Sequence, residues 1–176
     1  MTRLLRLLAP RYRVHAVTDL SPRRLGAWQI DALMLDVDNT LVQWGGESPP
    51  RGIKDWMDEL HRSGIPACLV SNNISDRVRR VASLLGLPYA QGRFKPSAAK
   101  LRHALAILGS PPERTAMVGD QLLTDILAGN RLGVPTVLTS PLAPHEPIRM
   151  KLMRPFERRV LAALVRRGLV ATLPEV

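Results

Sequence analysis

The stretch Leu33-Met34-Leu35-Asp36-Val37-Asp38-Asn39-Thr40-Leu41 constrains this chain more than any other. The apolar run Ala32 to Leu35 reads as a buried strand of a parallel sheet, which needs no polar alternation because both of its faces are covered. It stops at two aspartates one residue apart. Carboxylates just past the C-terminal end of such a strand sit where open α/β sheets bind ligands. Side chains alternate along a strand, so Asp36 and Asp38 share one side of its tip.

Two carboxylates so placed can divide the work of phosphoryl transfer. One, beside a magnesium ion, attacks phosphorus and forms an aspartyl-phosphate. The other protonates the leaving oxygen and later deprotonates the attacking water. Magnesium suits the pair because it is a hard ion that takes one or two carboxylates together with phosphate and water. Alone, the same residues fit an Asx-rich turn about equally well.

The rest of the chain supplies the context. Pro50 opens a helix to about Ser63, with Ile53, Trp56, Met57 and Leu60 on its buried face and Gly64 as its stop. Ile65 to Val70 is a second strand, closing on Ser71-Asn72-Asn73. Ser75 caps a helix ended by Gly86. Leu87 to Gln91 allows a short strand, and Ser97 caps a helix to about Leu108. Thr115 to Val118 is a further strand, followed by a helix from Leu122 to Leu132 and a last strand, Pro135 to Leu138. Strand and helix alternate throughout, which is the signature of an α/β, doubly wound (Rossmann-like) parallel sheet. Beyond it, Pro144, Pro147 and Pro155 fragment the chain until a helix over about Pro155 to Arg167. The division expected is a basic N-terminal arm at 1–29, a catalytic core at 30–140, and a basic C-terminal extension at 141–176. That extension ends in the amphipathic helix, packed on the core.

Charge is divided along the same lines. The net charge is +10, with six Arg against two Asp in residues 1–31 and seven Lys or Arg against three Glu in 142–176. A basic excess at both ends implies an anionic partner, such as a membrane surface or, less favoured, nucleic acid. Only 4% of residues are aromatic, and Trp28, Trp44 and Trp56 form no clustered base-stacking platform. Leu4, Leu5, Leu7 and Leu8 with Arg3 and Arg6 suit a short amphipathic helix that needs a surface to lie on, the protein's own core included. The N-terminus lacks a proper signal-peptide h-region, because Arg6 and Pro10-Arg11 interrupt it. No apolar run reaches the ~20 residues that span a bilayer. The single cysteine, Cys68, falls inside an apolar strand and reads as a buried, inert thiol.

Further polar positions follow the other strands. Ser71 can hold a phosphoryl oxygen, and Lys95 can supply fixed positive charge. Asp120 can complete a magnesium site, with Asp125 near enough to orient Lys95. Each has a duller use: turn residue, exposed charge, N-cap or dipole partner. All of them at strand ends, in this order, point to one active site.

Asp36-Val37-Asp38-Asn39-Thr40-Leu41, Ser71-Asn72-Asn73, Lys95-Pro96 and Gly119-Asp120-Gln121-Leu122-Leu123-Thr124-Asp125 resemble the four motifs of the haloacid dehalogenase (HAD) superfamily of phosphatases. The finer resemblance is to its subclass IIIA, YqeG-like group, which is similar to phosphatidylglycerophosphate phosphatases. The resemblance implies a magnesium-dependent phosphomonoesterase without a sizeable cap domain, since the 35 positions from Asp36 to Ser71 are already filled. It implies Asp36 as nucleophile, Asp38 as acid/base, and Ser71 and Lys95 as phosphoryl holders. Mg²⁺ would be bound by Asp36, the Asp38 carbonyl and Asp120, supported by Asp125, Thr40 and Asn72, with Arg93 and Asn72 as further phosphate contacts. A phosphate monoester is implied as substrate, a lipid one in particular, for a cytoplasmic protein peripheral at the inner face of the membrane. The rivals are a nucleic-acid end phosphatase, a soluble small-molecule phosphatase and a non-catalytic basic module.

Overall fold

The computed structural model describes residues 3–72, 76–92, 94–143 and 147–171. Among them five parallel strands form one sheet: β1 (Tyr12–Arg13), β2 (Ala32–Leu35), β3 (Ala67–Leu69), β4 (Thr115–Gly119) and β5 (Thr136–Leu138). Their spatial order is β1-β5-β4-β2-β3. The helices are α1 (Arg3–Leu7), α2 (Pro22–Ala27), α3 (Arg51–Arg62), α4 (Asp76–Leu85), α5 (Ala99–Leu108), α6 (Leu127–Leu132) and α7 (Ile148–Arg166). From β2 the chain steps outward to β3, then returns to place β4 on the other side of β2. The tips of β2 and β4 are therefore the topological switch point, where an open sheet leaves a crevice.

All of β2 is buried, but its residues divide between two faces. Leu33 and Leu35 join Ala67, Leu69, Ala116 and Val118 under α3 and α4. Met34 faces the other way, with Cys68 and Met117, against Leu101 and Ala104 of α5 and Ala128 of α6. The continuous apolar run is thus explained by two covered faces. The buried face of α3 is Ile53, Trp56, Met57 and Leu60. Helix α4 buries Val78, Val81 and Ala82 and is followed by Gly86 at φ +64°.

The structure departs from the sequence-based expectations in several places. Ser21-Pro22 opens an additional helix, α2: Ser21 Oγ accepts from Arg24 N at 3.3 Å, and Pro22 sits in the first turn, where a missing N–H costs nothing. Tyr12 and Arg13 add an edge strand beside β5. Leu87 to Gln91 makes only one bridge, Leu69 with Tyr89. The segment after Asp120 begins as one wide π-turn, Leu122–Ile126, before α6. Ser75 lies outside the described residues.

The largest difference is α7. It starts at Ile148 and carries Pro155 in its interior, where the proline rule predicts a start. Pro155 is exposed, so the carbonyl four residues back can turn to solvent. Leu164 and Val170 pack with Leu8 of the α1 end and Leu127 of α6, with Leu5, Leu7, Val160, Leu161 and Val165 alongside. The surface on which α1 lies is the protein's own core.

Candidate active site

Asp36 and Asp38 emerge at the tip of β2, whose ladder continues through Asp36 N, 2.9 Å from Val118 O of β4. Both line one cavity of about 670 Å³, a size suited to a small ligand. Lys95 lines it too and is fully enclosed. Its Nζ donates to Asp36 Oδ1 and to Asp125 Oδ1, each at 2.6 Å. Asp125 is buried, and its other oxygen accepts from Gln121 N at 3.1 Å. The π-turn brings its carboxylate against Gly119, where no Cβ would fit. That close approach explains a glycine at the end of β4.

Electrostatics couples these groups. Burial pushes the Asp36 carboxyl well above the usual carboxylate range, Lys95 pulls it down, and Asp125 and Asp120 push it up. Burial alone would lower the Lys95 ammonium, but Asp125 and Asp36 more than offset it and the net shift is upward. Lys95 is therefore a permanently charged group between two carboxylates.

Asn72 brackets the backbone of Lys95: its Oδ1 accepts from Lys95 N at 2.6 Å and its Nδ2 donates to Lys95 O at 3.2 Å. Asn72 thus positions the lysine loop as well as lining the cavity. Ser71 is buried past the end of β3, where its carbonyl accepts from Lys100 Nζ. It is not among the residues that line the cavity. Thr40 is buried, and its hydroxyl has no hydrogen-bond partner among the described residues. Arg93 lies outside them.

Asp36, Asp120 and Asp125 can each turn one oxygen to a common point, all within 4.8 Å of one another. Three buried carboxylates are a donor set that suits a hard divalent cation, with Lys95 and Arg154 offsetting part of their charge. The Asp38 side chain lies outside that cluster and is paired with Arg77, whose Nη1 also donates to Gly46 O at 2.9 Å.

Four charged residues of the site were not anticipated from the sequence: Arg77, Lys100, Arg154 and Glu157. The last two come from α7. Arg154 is paired with the Asp120 carboxylate, donates to Asp120 O at 2.8 Å and reaches Glu157 at 3.3 Å. Glu157 accepts from Leu123 N at 3.1 Å. Burial raises the Glu157 carboxyl above its usual range, against the pull of Leu123 N and Arg154. A signal was present, since Glu157 is the one acid between positions 147 and 171. Met150 and Met153 of the same helix complete the wall. The segment before α7 is tied to the loop after β2 through Asn39, at φ +60°. Its carbonyl accepts from Leu142 N at 2.9 Å, and its Nδ2 donates to Ala143 O at 3.3 Å.

A parallel sheet with acidic clusters at the tips of β2 and β4, a buried lysine between them and, among the described residues, no cap domain defines the class. Residues 45–133 match the model of the haloacid dehalogenase-like hydrolases, and the chain belongs to that family. Within it the chain is a phosphatase. It is 34% identical to the Bacillus subtilis protein named "Probable phosphatase YqeG" over 155 residues, 88% of this chain and 90% of the other. It is 32% identical over 94 residues to an Arabidopsis thaliana phosphatidylglycerophosphate phosphatase 1, covering 53% of this chain but 27% of that one. Among solved structures, a HAD family hydrolase of Streptomyces avermitilis is 26% identical, with a TM-score of 0.51 over 69% of this chain and 77% of that one. The cobalt-bound deoxy-D-mannose-octulosonate 8-phosphate phosphatase of Haemophilus influenzae shares the fold, at 18% identity and a TM-score of 0.52, covering 82% of this chain and 95% of that one.

Proposed function

We propose that the protein is a magnesium-dependent phosphomonoesterase that works through an aspartyl-phosphate and acts on a lipid phosphate of the phosphatidylglycerol phosphate kind. The observation that carries this is that Asp36 and Asp38 line one cavity walled by α7, while Asp120 and Asp125 bring carboxylate oxygens to within 4.8 Å of one from Asp36. Asp36 attacks phosphorus, and Asp38 gives a proton to the leaving oxygen and then takes one from water. Lys95, held by Asp125, offsets the negative charge gathered at Asp36 and the phosphoryl group. Ser71 is assigned to a phosphoryl oxygen, and Thr40 and Asn72 support the two loops. Asp36, the Asp38 carbonyl and Asp120 would hold Mg²⁺, with Asp125 behind them. When bound there, the ion supplies Lewis-acid stabilisation of phosphoryl charge.

The lipid assignment has two supports. Relatives bear the name phosphatidylglycerophosphate phosphatase, in Arabidopsis and in Chlamydomonas reinhardtii. The roof of the cavity is also amphiphilic: Ile148, Leu152 and Phe156 stand 79%, 74% and 50% exposed on α7, beside Lys151 and Arg159. Large apolar side chains at i, i+4 and i+8 facing water, with cations beside them, suit the headgroup region of an anionic bilayer. No helix among the described residues is long and apolar enough to cross a membrane. The setting that goes with the proposed lipid substrate is cytoplasmic, peripheral at the inner face of the membrane.

One activity screen tests this. Phosphatidylglycerol phosphate in vesicles, end-phosphorylated oligonucleotides and soluble phosphate esters are compared with Mg²⁺ and with excess chelator. Turnover of the lipid at least tenfold above the others, lost on chelation, is expected. Preference for the oligonucleotide or a soluble ester removes the lipid assignment, and chelator-insensitive turnover removes magnesium.

A further inference from the structure

A second cavity, of about 590 Å³, adjoins the first. The two share Arg154 and Glu157, so one wall of charged side chains separates them, and Asp120 lies on the second cavity's side. No step assigned above uses this second space. Its floor is apolar, with Val14, Leu122 and Leu138 buried and Leu161 half-buried. Its rim is cationic, formed by Arg13, Lys151 and Arg158. The two acids that line this cleft, Asp120 and Glu157, are both engaged by Arg154, which leaves the three rim cations as the dominant charge facing the opening. Thr139 lies on the same wall, and its hydroxyl has no hydrogen-bond partner among the described residues.

An apolar floor under a cationic rim fits neither a sugar nor a hydrocarbon. It fits an amphiphile whose anionic group stays at the opening while its apolar part lies below. The cleft also lies immediately beyond the residue assigned to the cation site. A substrate with its monoester in the first cavity can thus extend over the Arg154 wall into the second. We infer that this cleft binds the non-reacting part of the substrate: an anionic phosphodiester with its apolar substituent, held at the rim by Lys151 and Arg158. The assignment rests on the lipid-phosphate function proposed above and adds the site that recognises it. Binding energy from such a remote group can be spent on orienting the reacting phosphate.

The test compares dihexanoyl phosphatidylglycerol phosphate, its deacylated form glycerophosphoglycerol phosphate, and glycerol phosphate. In the native protein kcat/KM is expected to fall in that order. The double variant Lys151→Gln, Arg158→Gln should reduce the advantage of both diester substrates over glycerol phosphate by about tenfold, the effect of one or two partly exposed charge-assisted contacts. Arg102→Gln, on the exposed face of α5, should leave that ratio unaltered. An unaltered ratio in the double variant, or an equal loss on glycerol phosphate, overturns the inference. Equal rates with and without acyl chains in the native protein overturn its apolar half.

A second readout separates the cleft from the lipid function. Dihexanoyl phosphatidylglycerol lacks the monoester, and its inhibition of p-nitrophenyl phosphate turnover reports the cleft alone. Inhibition about tenfold weaker in the double variant supports the cleft even if no lipid phosphate is turned over, in which case the lipid function falls instead. Absent inhibition, or inhibition the variant does not weaken, overturns the cleft whatever the lipid assay gives.

Discussion

The strand tips and helix α7 deliver charge to the same cavity by different physical means. Asp36, Asp120 and the Lys95 loop are fixed by buried strands and by backbone-directed hydrogen bonds, such as the Asn72 bracket on Lys95. Arg154 and Glu157 arrive from outside the sheet, on a helix anchored by Leu164 and by the Asn39 contacts. Groups that must stay put through bond making sit on the rigid frame, whereas groups suited to holding a variable substrate are added from the flank. On the proposed function, the difference would make reaction and recognition separable in this chain.

The sharpest test of the frame is Asp36→Asn. An amide cannot attack phosphorus, so turnover should fall by about a thousandfold or more. The fold should survive. Because burial raises the Asp36 pKa, its folded carboxyl holds a proton to higher pH than the unfolded one. The metal-free protein therefore loses stability as pH rises from the ordinary carboxylate range through the raised value. The amide removes that contribution, so thermal unfolding without metal should be unchanged or slightly improved at neutral pH. Residual turnover within tenfold of the native rate would take Asp36 out of the nucleophile role.

Asp38→Asn should separate acid–base work from nucleophilic attack. Alkyl phosphates need their leaving oxygen protonated and should slow by roughly 10²–10⁴-fold, whereas p-nitrophenyl phosphate should slow far less. Equal losses on both would assign Asp38 to structure, through its pairing with Arg77.

How much of this was legible in the sequence follows the same division. Asp36, Asp38, Lys95, Asp120 and Asp125 could be singled out because buried strands announce themselves as apolar runs and their C-terminal ends have a fixed place in the fold. Arg77, Lys100, Arg154 and Glu157 could not, because their partners lie 29 to 39 positions away and helical periodicity does not say where a long side chain reaches. Strand β1 has two residues, too few to show a period. The start of α7 is not legible because a proline reads as a breaker, whereas an exposed helix face leaves solvent to satisfy the freed carbonyl. The π-turn at Leu122–Ile126 follows from the demand that Asp125 meet Lys95, a tertiary need that no local propensity encodes.

The anchoring of the flank has its own test. Leu164 is fully buried between α1, α6 and the chain end. Leu164→Ala should cost about 2–4 kcal/mol by lost burial and the cavity left behind. Denaturant unfolding should remain a single transition if the end of the chain folds with the sheet. Two transitions, the first moved by the mutation and the second not, would make α7 an independent layer and break its connection to the site.

The smallest effect expected concerns the outer face of α7. The two basic ends each carry an apolar stripe that could meet a membrane, Leu4–Leu8 at one and Phe156–Val165 at the other. Leu8 and Leu164 are buried and Leu5, Leu7, Val160 and Val165 pack beside them, so neither stripe as a whole is available. The face that is available is Ile148, Leu152 and Phe156, with Lys151 and Arg159 beside it. Partial insertion of a few methylenes contributes about 0.8 kcal/mol for each one buried, and each nearby cation about 1 kcal/mol at an anionic surface before screening. Together these give weak, reversible binding rather than anchoring. Sedimentation with liposomes should therefore show binding that requires anionic lipid and weakens from low to physiological salt. Leu152→Ser with Phe156→Ser should reduce it several-fold, with unchanged thermal stability because both side chains already face water. The pair Arg158→Gln, Arg159→Gln should reduce it less, and only at low salt. Equal binding to neutral vesicles, or insensitivity to the serine pair, would leave α7 as a wall of the active site with no lipid-facing role.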